Sequence, residues 1–271
     1  MCYYNGQLVT RTEFLRLKEI EKALAGYDFL KDPVQSGFDY SNSAVLRKVP
    51  GRKDFDLVQM EWGFLPAYIK TREDAQKMRR GYKDSQGRFH PPITTLNAIG
   101  EEMLHPGKIY RDAALHRRCL VLSSGFYEWR HVFPANKRTG EPVKNPIKYP
   151  YHIGIKHKDY FYLAGIWQPW TDRNTGEHVD TFAIVTTRAN PLMEQVHNSK
   201  KRMPLVLNEE LAYEWLLEDL SEKRINEIVH YSFPWQEMEA YTVAKDFLSA
   251  PDPENPFHYG DLPALDLQPV K

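Results

Sequence analysis

Cysteine is scarce in this chain: of 271 residues two are cysteine, Cys2 directly behind the initiator methionine and Cys119. Position gives Cys2 chemistry that an internal cysteine lacks. Methionine aminopeptidases remove an initiator methionine when the next side chain is small, so the mature terminus is expected to be a 1,2-aminothiol. An α-amine has an ordinary pKa of about 7.7–8.0, against about 10.4 for lysine, and is partly neutral near pH 7. A neutral amine attacks an aldehyde to give an imine. The neighbouring thiol then closes on the same carbon to form a thiazolidine, which resists hydrolysis better than the imine. Such chemistry selects aldehydes and favours holding them. The competing reading makes Cys2 a small apolar residue at the start of a strand.

A site of this kind needs a proton carrier to dehydrate the carbinolamine and a group to fix the terminus. Glu128 lies in SGFYEW, where strand alternation puts it on one face with Phe126, and Tyr127 and Trp129 on the other. If that face is buried, desolvation raises the carboxyl pKa toward neutrality; if it faces solvent, Glu128 is an ordinary surface acid. His197 ends the PLMEQVH segment beside a basic loop and reads equally as a surface or helix-capping histidine. Asn97, in TTLNAIGEEM, has the position of a helix cap. No spacing rule ties positions 2, 97, 128 and 197 together. Cys119 is expected to be a core strand residue, and no CxxC or HExxH spacing suggests a metal; no cofactor is expected.

The elements that must position these residues are mostly strands. Leu17, Ile20, Ala23 and Leu24 follow helical spacing before Gly26, so a first helix is expected over residues 12–25. Then DLVQMEWGFLP, RRCLVLSSGFYEWR, PYHIGIKHKDYFYLAGIWQPW and DTFAIVTTRAN are runs rich in β-branched and aromatic residues. Pro191 opens a short helix, RMPLVL reads as a strand, Asn208 caps the helix NEELAYEWLLEDL, and SEKRINEIVHYS gives another before the strand MEAYTVA. This order is mixed rather than alternating, which argues against a parallel βαβ sheet. Two stretches, residues 70–92 and 131–149, read as basic loop insertions. Residues 250–271 hold five prolines and four acidic residues against one lysine and read as an extended tail, on the body or loose in solvent.

Lys plus Arg balances Asp plus Glu at 36 each, so no overall field draws the protein to nucleic acid or to an acidic membrane surface. Any such attraction is local. No stretch approaches 18 apolar residues and no basic flank precedes an apolar run, so a cytoplasmic protein, in the bacterial cytosol or at the nucleoid, is expected with no membrane partner.

Cys2, WGFLP at 62–66, Asn97-Ala98 with Glu101 beyond Ile99, RCLVLSSGFYEW at 118–129, LAGIW at 163–167, FAIVTTRAN at 182–190 and HNSKKRMPLVL at 197–207 occur in that order. As an ordered set, from Cys2 to about residue 207, they resemble the SRAP family, the SOS response-associated peptidase proteins that process abasic DNA. The resemblance implies an α+β fold, a single compact domain at 1–249 with a β-barrel-like antiparallel core flanked by helices, and a positively charged groove for single-stranded DNA. It implies a monomer that traps the ring-opened aldehyde of an abasic site as a covalent thiazolidine crosslink, with an autocatalytic peptidase (hydrolase) step and a lyase activity. By motif, Cys2 is the nucleophile, Glu128 the acid/base group next to its amine, His197 a proton donor near the opened sugar, and Asn97 the group that positions terminus and lesion. Arg202 would hold a phosphate, with Trp129 and Thr186 lining the groove.

The chain departs from the family pattern. The usual Cys-Gly-Arg is Cys2-Tyr3-Tyr4, the usual Asn-Ala-Arg is Asn97-Ala98-Ile99, and the common His-x-Arg-Met-Pro is stretched to His197-Asn198-Ser199-Lys200-Lys201-Arg202-Met203-Pro204. Lys200, Lys201 and the Lys70–Arg88 loop are expected to replace the missing cations. Two other function classes stand beside this one: a cysteine-type peptidase or amidohydrolase acting on other substrates through an N-terminal nucleophile, and a non-catalytic single-strand binder with a structural Cys2.

Overall fold

The computed structural model describes residues 2–136 and 138–267. The initiator methionine, whose removal the sequence reading expects, Lys137 in the second insertion and the last four tail residues lie outside them. In chain order the strands begin with β1 (Tyr4–Leu8), β2 (Phe14–Leu17), β3 (Ile20–Ala23), β4 (Lys31–Ser36), β5 (Asn42–Lys48) and β6 (Phe55–Trp62). Helix α1 (Arg72–Arg80) and the short hairpin β7 (Tyr82–Lys83), β8 (Phe89–His90) follow, then β9 (Asn97–Ile99), α2 (Gly100–Met103) and α3 (Arg111–His116). Next come β10 (Arg118–Ser123), β11 (Gly125–Val132), β12 (Ile147–Ile155), β13 (Phe161–Thr171) and β14 (His178–Arg188). Helix α4 (Pro191–Val196), β15 (Arg202–Pro204), β16 (Val206–Leu207), α5 (Glu209–Leu217), α6 (Glu222–Val229) and β17 (Met238–Thr242) complete the order.

Five strands close on themselves: β6, β5, β10 and β13 pair in sequence, and β14 joins β13 on one side and β6 on the other. This is the expected barrel in an α+β domain, with one amendment to its antiparallel character. The closing pair β6–β14 is parallel and short, Thr181 with Glu61 and Phe182 with Trp62, and β9 continues the same edge of β14, also parallel. A second sheet, ordered β17-β12-β11-β1-β4, lies against the barrel. One core, including Leu46, Leu120, Ile166 and Trp215, packs α5, α6 and the β2–β3 hairpin on the barrel; the other, including Val45, Trp62, Val121, Phe126 and Ile153, also holds Cys2 and fills the space toward the second sheet. Cys119 is buried in that second core, as expected.

Strand β1 is bolted between the two sheets. The fully buried Gln7 amide donates to the carbonyls of Ala44 and Leu122, both at 2.9 Å, and accepts from Ala44 N at 2.7 Å. A buried amide with its partners in place fixes register, since a slip would orphan it. Gly6 is required there: a Cβ would stand 2.6 Å from the Pro33 carbonyl oxygen.

The helix expected over residues 12–25 is a β-hairpin, β2–β3. Leu15 and Leu17 are fully buried while Phe14 and Arg16 are exposed, a period of two that outweighs the helical spacing of Leu17, Ile20, Ala23 and Leu24. Lys18 turns the chain at φ 54°, the left-handed geometry a two-residue hairpin loop demands. The caps read from sequence are present: Asn208 Oδ1 accepts from Leu211 N at 2.9 Å and Pro191 stands at the start of α4. The first insertion contains structure of its own, because Thr71 caps α1 through Asp74 N at 3.1 Å and Gly81 ends it.

From Ala250 to Leu267 the chain lies on the body. Tyr149 donates to Asp261 at 2.7 Å, Leu262, Leu265 and Leu267 pack on the second core, and the Asp266 backbone exchanges hydrogen bonds of 2.6 and 2.7 Å with the Gln195 side chain on α4. Among the described residues no helix is long and apolar enough to cross a membrane.

Candidate active site

Cys2 precedes β1 and is fully buried. Its carbonyl accepts from Asn97 Nδ2 at 2.8 Å, the next carbonyl, of Tyr3, accepts from Gly37 N at 2.8 Å, and its thiol donates to the Tyr4 carbonyl at 3.7 Å. Burial pushes the thiol pKa far up, so the sulfur holds its proton at neutral pH. Asn97 is a strand residue and not a helix cap. Its backbone pairs with Ile184 of β14, and the residue before it is held by Trp62, whose indole N–H donates to the Leu96 carbonyl at 3.0 Å.

Glu128 is 4% exposed, on the face of β11 that Phe126 shares, while Tyr127 packs in a separate cluster with Val243 and Phe247. Burial pushes the Glu128 carboxyl up to about 8. The carboxyl therefore holds its proton far more firmly than an ordinary acid does. His197 caps the C-terminus of α4, and its Nε2 stands 3.7 Å from Glu128 Oε2. Its Nδ1 lies 2.7 Å from the Arg202 carbonyl oxygen. A carbonyl only accepts, so the proton sits on Nδ1 and Nε2 presents a lone pair. Burial pushes the His197 pKa down to about 4, leaving the ring neutral. Of the two groups the carboxyl is the one that holds a proton near neutrality, and the ring faces it as an acceptor.

A cleft of about 390 Å³ opens over this pair, with Glu128 and His197 in its lining. The fold thus joins Cys2 to Asn97 and Glu128 to His197 from four distant stretches; Tyr3, next to Cys2, lines the cleft, while Cys2 and Asn97 do not. Trp129 and Lys200 also line the cleft; Lys201, Thr186 and Arg202 do not. Thr186 is fully buried, and Arg202 forks onto Glu101 at 2.8 and 2.7 Å while donating to the Thr186 carbonyl at 2.7 Å. In the Lys70–Arg88 loop, Arg72 and Arg79 pair with Glu61, Lys77 with Glu73 and Arg88 with Asp84, which spends much of its charge internally. Sequence reasoning passed over His131 and Lys148, cross-strand partners that line the cleft, because only the β11–β12 register brings them together.

The fold is a closed α+β barrel with a second sheet against it, and its buried titratable groups gather where that sheet meets the barrel: Cys2 held by Asn97, and Glu128 facing His197. The chain belongs to the SOS response associated peptidase (SRAP) family, which residues 16–249 match. The matched span holds Asn97, Glu128 and His197 and begins after Cys2, so Cys2 is tied to the site by its contacts. Similar proteins include the abasic site processing protein YoqW of Bacillus subtilis (strain 168), 26% identical over 188 residues covering 69% of each chain. The abasic site processing protein HMCES of Xenopus tropicalis is 26% identical over 65% of this chain and 51% of its own length. A solved protein structure from Bacteroides thetaiotaomicron superposes with a TM-score of 0.69 at 26% identity, covering 94% of this chain and 97% of that one.

Proposed function

We propose that this protein processes abasic sites in single-stranded DNA by forming a covalent thiazolidine crosslink through Cys2. The observation that carries the reading is a buried Cys2, its carbonyl held by Asn97, directly before the Tyr3 and Tyr4 that line a cleft with Glu128 and His197. The names of the relatives supply the substrate class. Once Met1 is removed, the neutral α-amine attacks the ring-opened aldehyde carbon to give a carbinolamine. Glu128 gives its proton to the departing hydroxyl, which leaves as water, and an iminium remains. The Cys2 sulfur then bonds to the iminium carbon, the C=N pair moves to nitrogen, and the thiol proton returns to the Glu128 carboxylate. One water is lost in all, and the carboxyl ends as it began. His197, with its lone pair toward Glu128, shuttles protons to and from the opened sugar. Trp129, Thr186, Arg202, Lys200 and Lys201 belong to the DNA-holding side of this reading, Arg202 and Thr186 by bracing one another and Glu101 next to β9.

Intact mass of the purified protein, before and after incubation with single-stranded DNA carrying one abasic site, tests it. The expected result is a starting mass lacking Met1, then a heat-stable species equal to protein plus DNA minus one water, absent in Cys2→Ser. A free Cys2 with no adduct overturns the proposal.

A further inference from the structure

The two sides of the cleft are chemically unlike, and β11 runs between them. Toward β12 stand Lys148 and, across from it on β11 itself, His131, with Lys200 contributed by the loop after α4. On the β1 side there are rings: Tyr3 and Tyr4 line the cleft, Phe38 lies 4.9 Å from Tyr3 and 6.5 Å from Tyr4 between centroids, and Trp129 lies 5.1 Å from Tyr4. Phe38 is 47% exposed at the tip of a short turn, Gly37–Asp39, so a large apolar ring stands in water just outside the cleft lining, joined to it through Tyr3 and Tyr4.

That turn is rigid. A Cβ on Gly37 would meet Leu96 Cδ1 at 2.9 Å and the Trp62 ring at 3.2 Å, so the turn is pressed onto the core at its start. At its end the Tyr40 ring packs beneath the Arg79 guanidinium, 4.2 Å from its centroid. A ring fixed in place before its ligand arrives loses little entropy on stacking. Aromatic rings beside local cations are what a strand with unpaired bases requires, since every base has a π-face and every linkage a phosphate.

Resting on the proposed function above, we infer that Phe38, with Tyr3 and Tyr4, is a stacking shelf for the unpaired nucleobase beside the lesion, while Lys148 and Lys200 hold phosphates on the opposite flank. The tyrosines then do by stacking on one flank what a phosphate-holding arginine would do by charge. The two flanks of the lesion are read by different physics.

Equilibrium binding to strands carrying a tetrahydrofuran lesion analogue, which lacks the aldehyde and cannot crosslink, separates the terms. For the wild-type protein, replacing the base on one side of the lesion by a second tetrahydrofuran is expected to weaken binding by roughly 5- to 150-fold, the worth of one base stack. The same replacement on the other side is expected to change little. In Phe38→Ala the penalty disappears and the salt slope stays the same; in Phe38→Trp it returns. In K148Q/K200Q the base penalty remains, and the slope of log K against log salt shrinks by about 0.7 per lost phosphate contact. An equal base penalty in Phe38→Ala and wild type overturns the shelf while leaving the crosslink reading intact. Failure of the wild-type protein to bind these strands and to form the adduct with an abasic strand overturns both.

Discussion

Replacing Glu128 by glutamine removes the acid of the proposed reaction and should also change stability with a definite sign. The carboxyl has its pKa raised from an ordinary 4.5 to about 8 by burial. Between those values the folded protein keeps a proton that the unfolded chain releases, so stability falls as pH rises through the window, by about 1.4 kcal/mol per pH unit. From pH 6 to pH 9 two full units lie below the folded pKa, and the last unit adds only a small remainder, for a total of about 3 kcal/mol. Glutamine has nearly the same shape and is neutral throughout. Urea denaturation of wild type and Glu128→Gln at pH 6, 7, 8 and 9 should therefore show the variant gaining about 3 kcal/mol on wild type across the series. Most of that gain should arrive before pH 8. The same variant should lose stable adduct formation at every pH, the usual exchange of activity for stability at a strained site. If the two pH–stability curves run parallel, Glu128 titrates near its ordinary value, and both the burial argument and its role as an acid at neutrality fail.

Asn97→Ala removes a buried hydrogen bond to the Cys2 carbonyl and should cost about 1–3 kcal/mol in denaturant titration; adduct formation should slow while binding of tetrahydrofuran strands is retained. Arg202→Met leaves the Glu101 carboxylate without its fork and should lower the melting temperature, and the further change Glu101→Gln should restore much of it. A full loss of DNA binding in that double variant with its stability restored would instead assign Arg202 directly to phosphate. Removing residues from Ala250 onward strips Asp261 from Tyr149 and Gln195 from its partner, so melting should drop. The adduct rate should not rise, because no residue from Ala250 to Leu267 is in the cleft lining; a faster rate measured by denaturing gel would show that the strap covers the site.

The strands of the barrel were legible because β-branched and aromatic runs hold their period, and the capped helices because Asn208 and Pro191 signal locally. The β2–β3 hairpin was not: Leu17, Ile20, Ala23 and Leu24 suit a helix, and only the burial of Leu15 with Leu17 decides for a strand. The candidate site residues could be named as an ordered set, yet local sequence assigned Asn97 to a cap, since the pairing with β14 that aims it at Cys2 joins distant stretches. Phe38 gave no signal, and Lys148 showed only as one cation of the basic 131–149 stretch. Their roles depend on register across β11 and on a turn pressed against Leu96, and neither leaves a mark in the adjacent sequence. Paired cations in the first insertion show the converse, where composition suggested a basic surface and Glu61, Glu73 and Asp84 cancel much of it.

The parallel seam that closes the barrel has a bearing on how the molecule breathes. Only two residues of β6 meet β14 there, and β9 takes over the same edge with three. The other joints of the ring are six- or seven-residue antiparallel pairings, apart from the three-residue pairing of β10 with β5. Short pairings are where a sheet opens first, so amide hydrogens along this edge, Gly63 N on the Phe182 carbonyl and Ile184 N on the Leu96 carbonyl, should exchange with solvent ahead of their neighbours. Asn97 hangs from that edge. Each opening would loosen the Asn97 hydrogen bond to the Cys2 carbonyl and each closing would set it again, so the anchorage of the chain's first residues is tied to the least secured line in the fold.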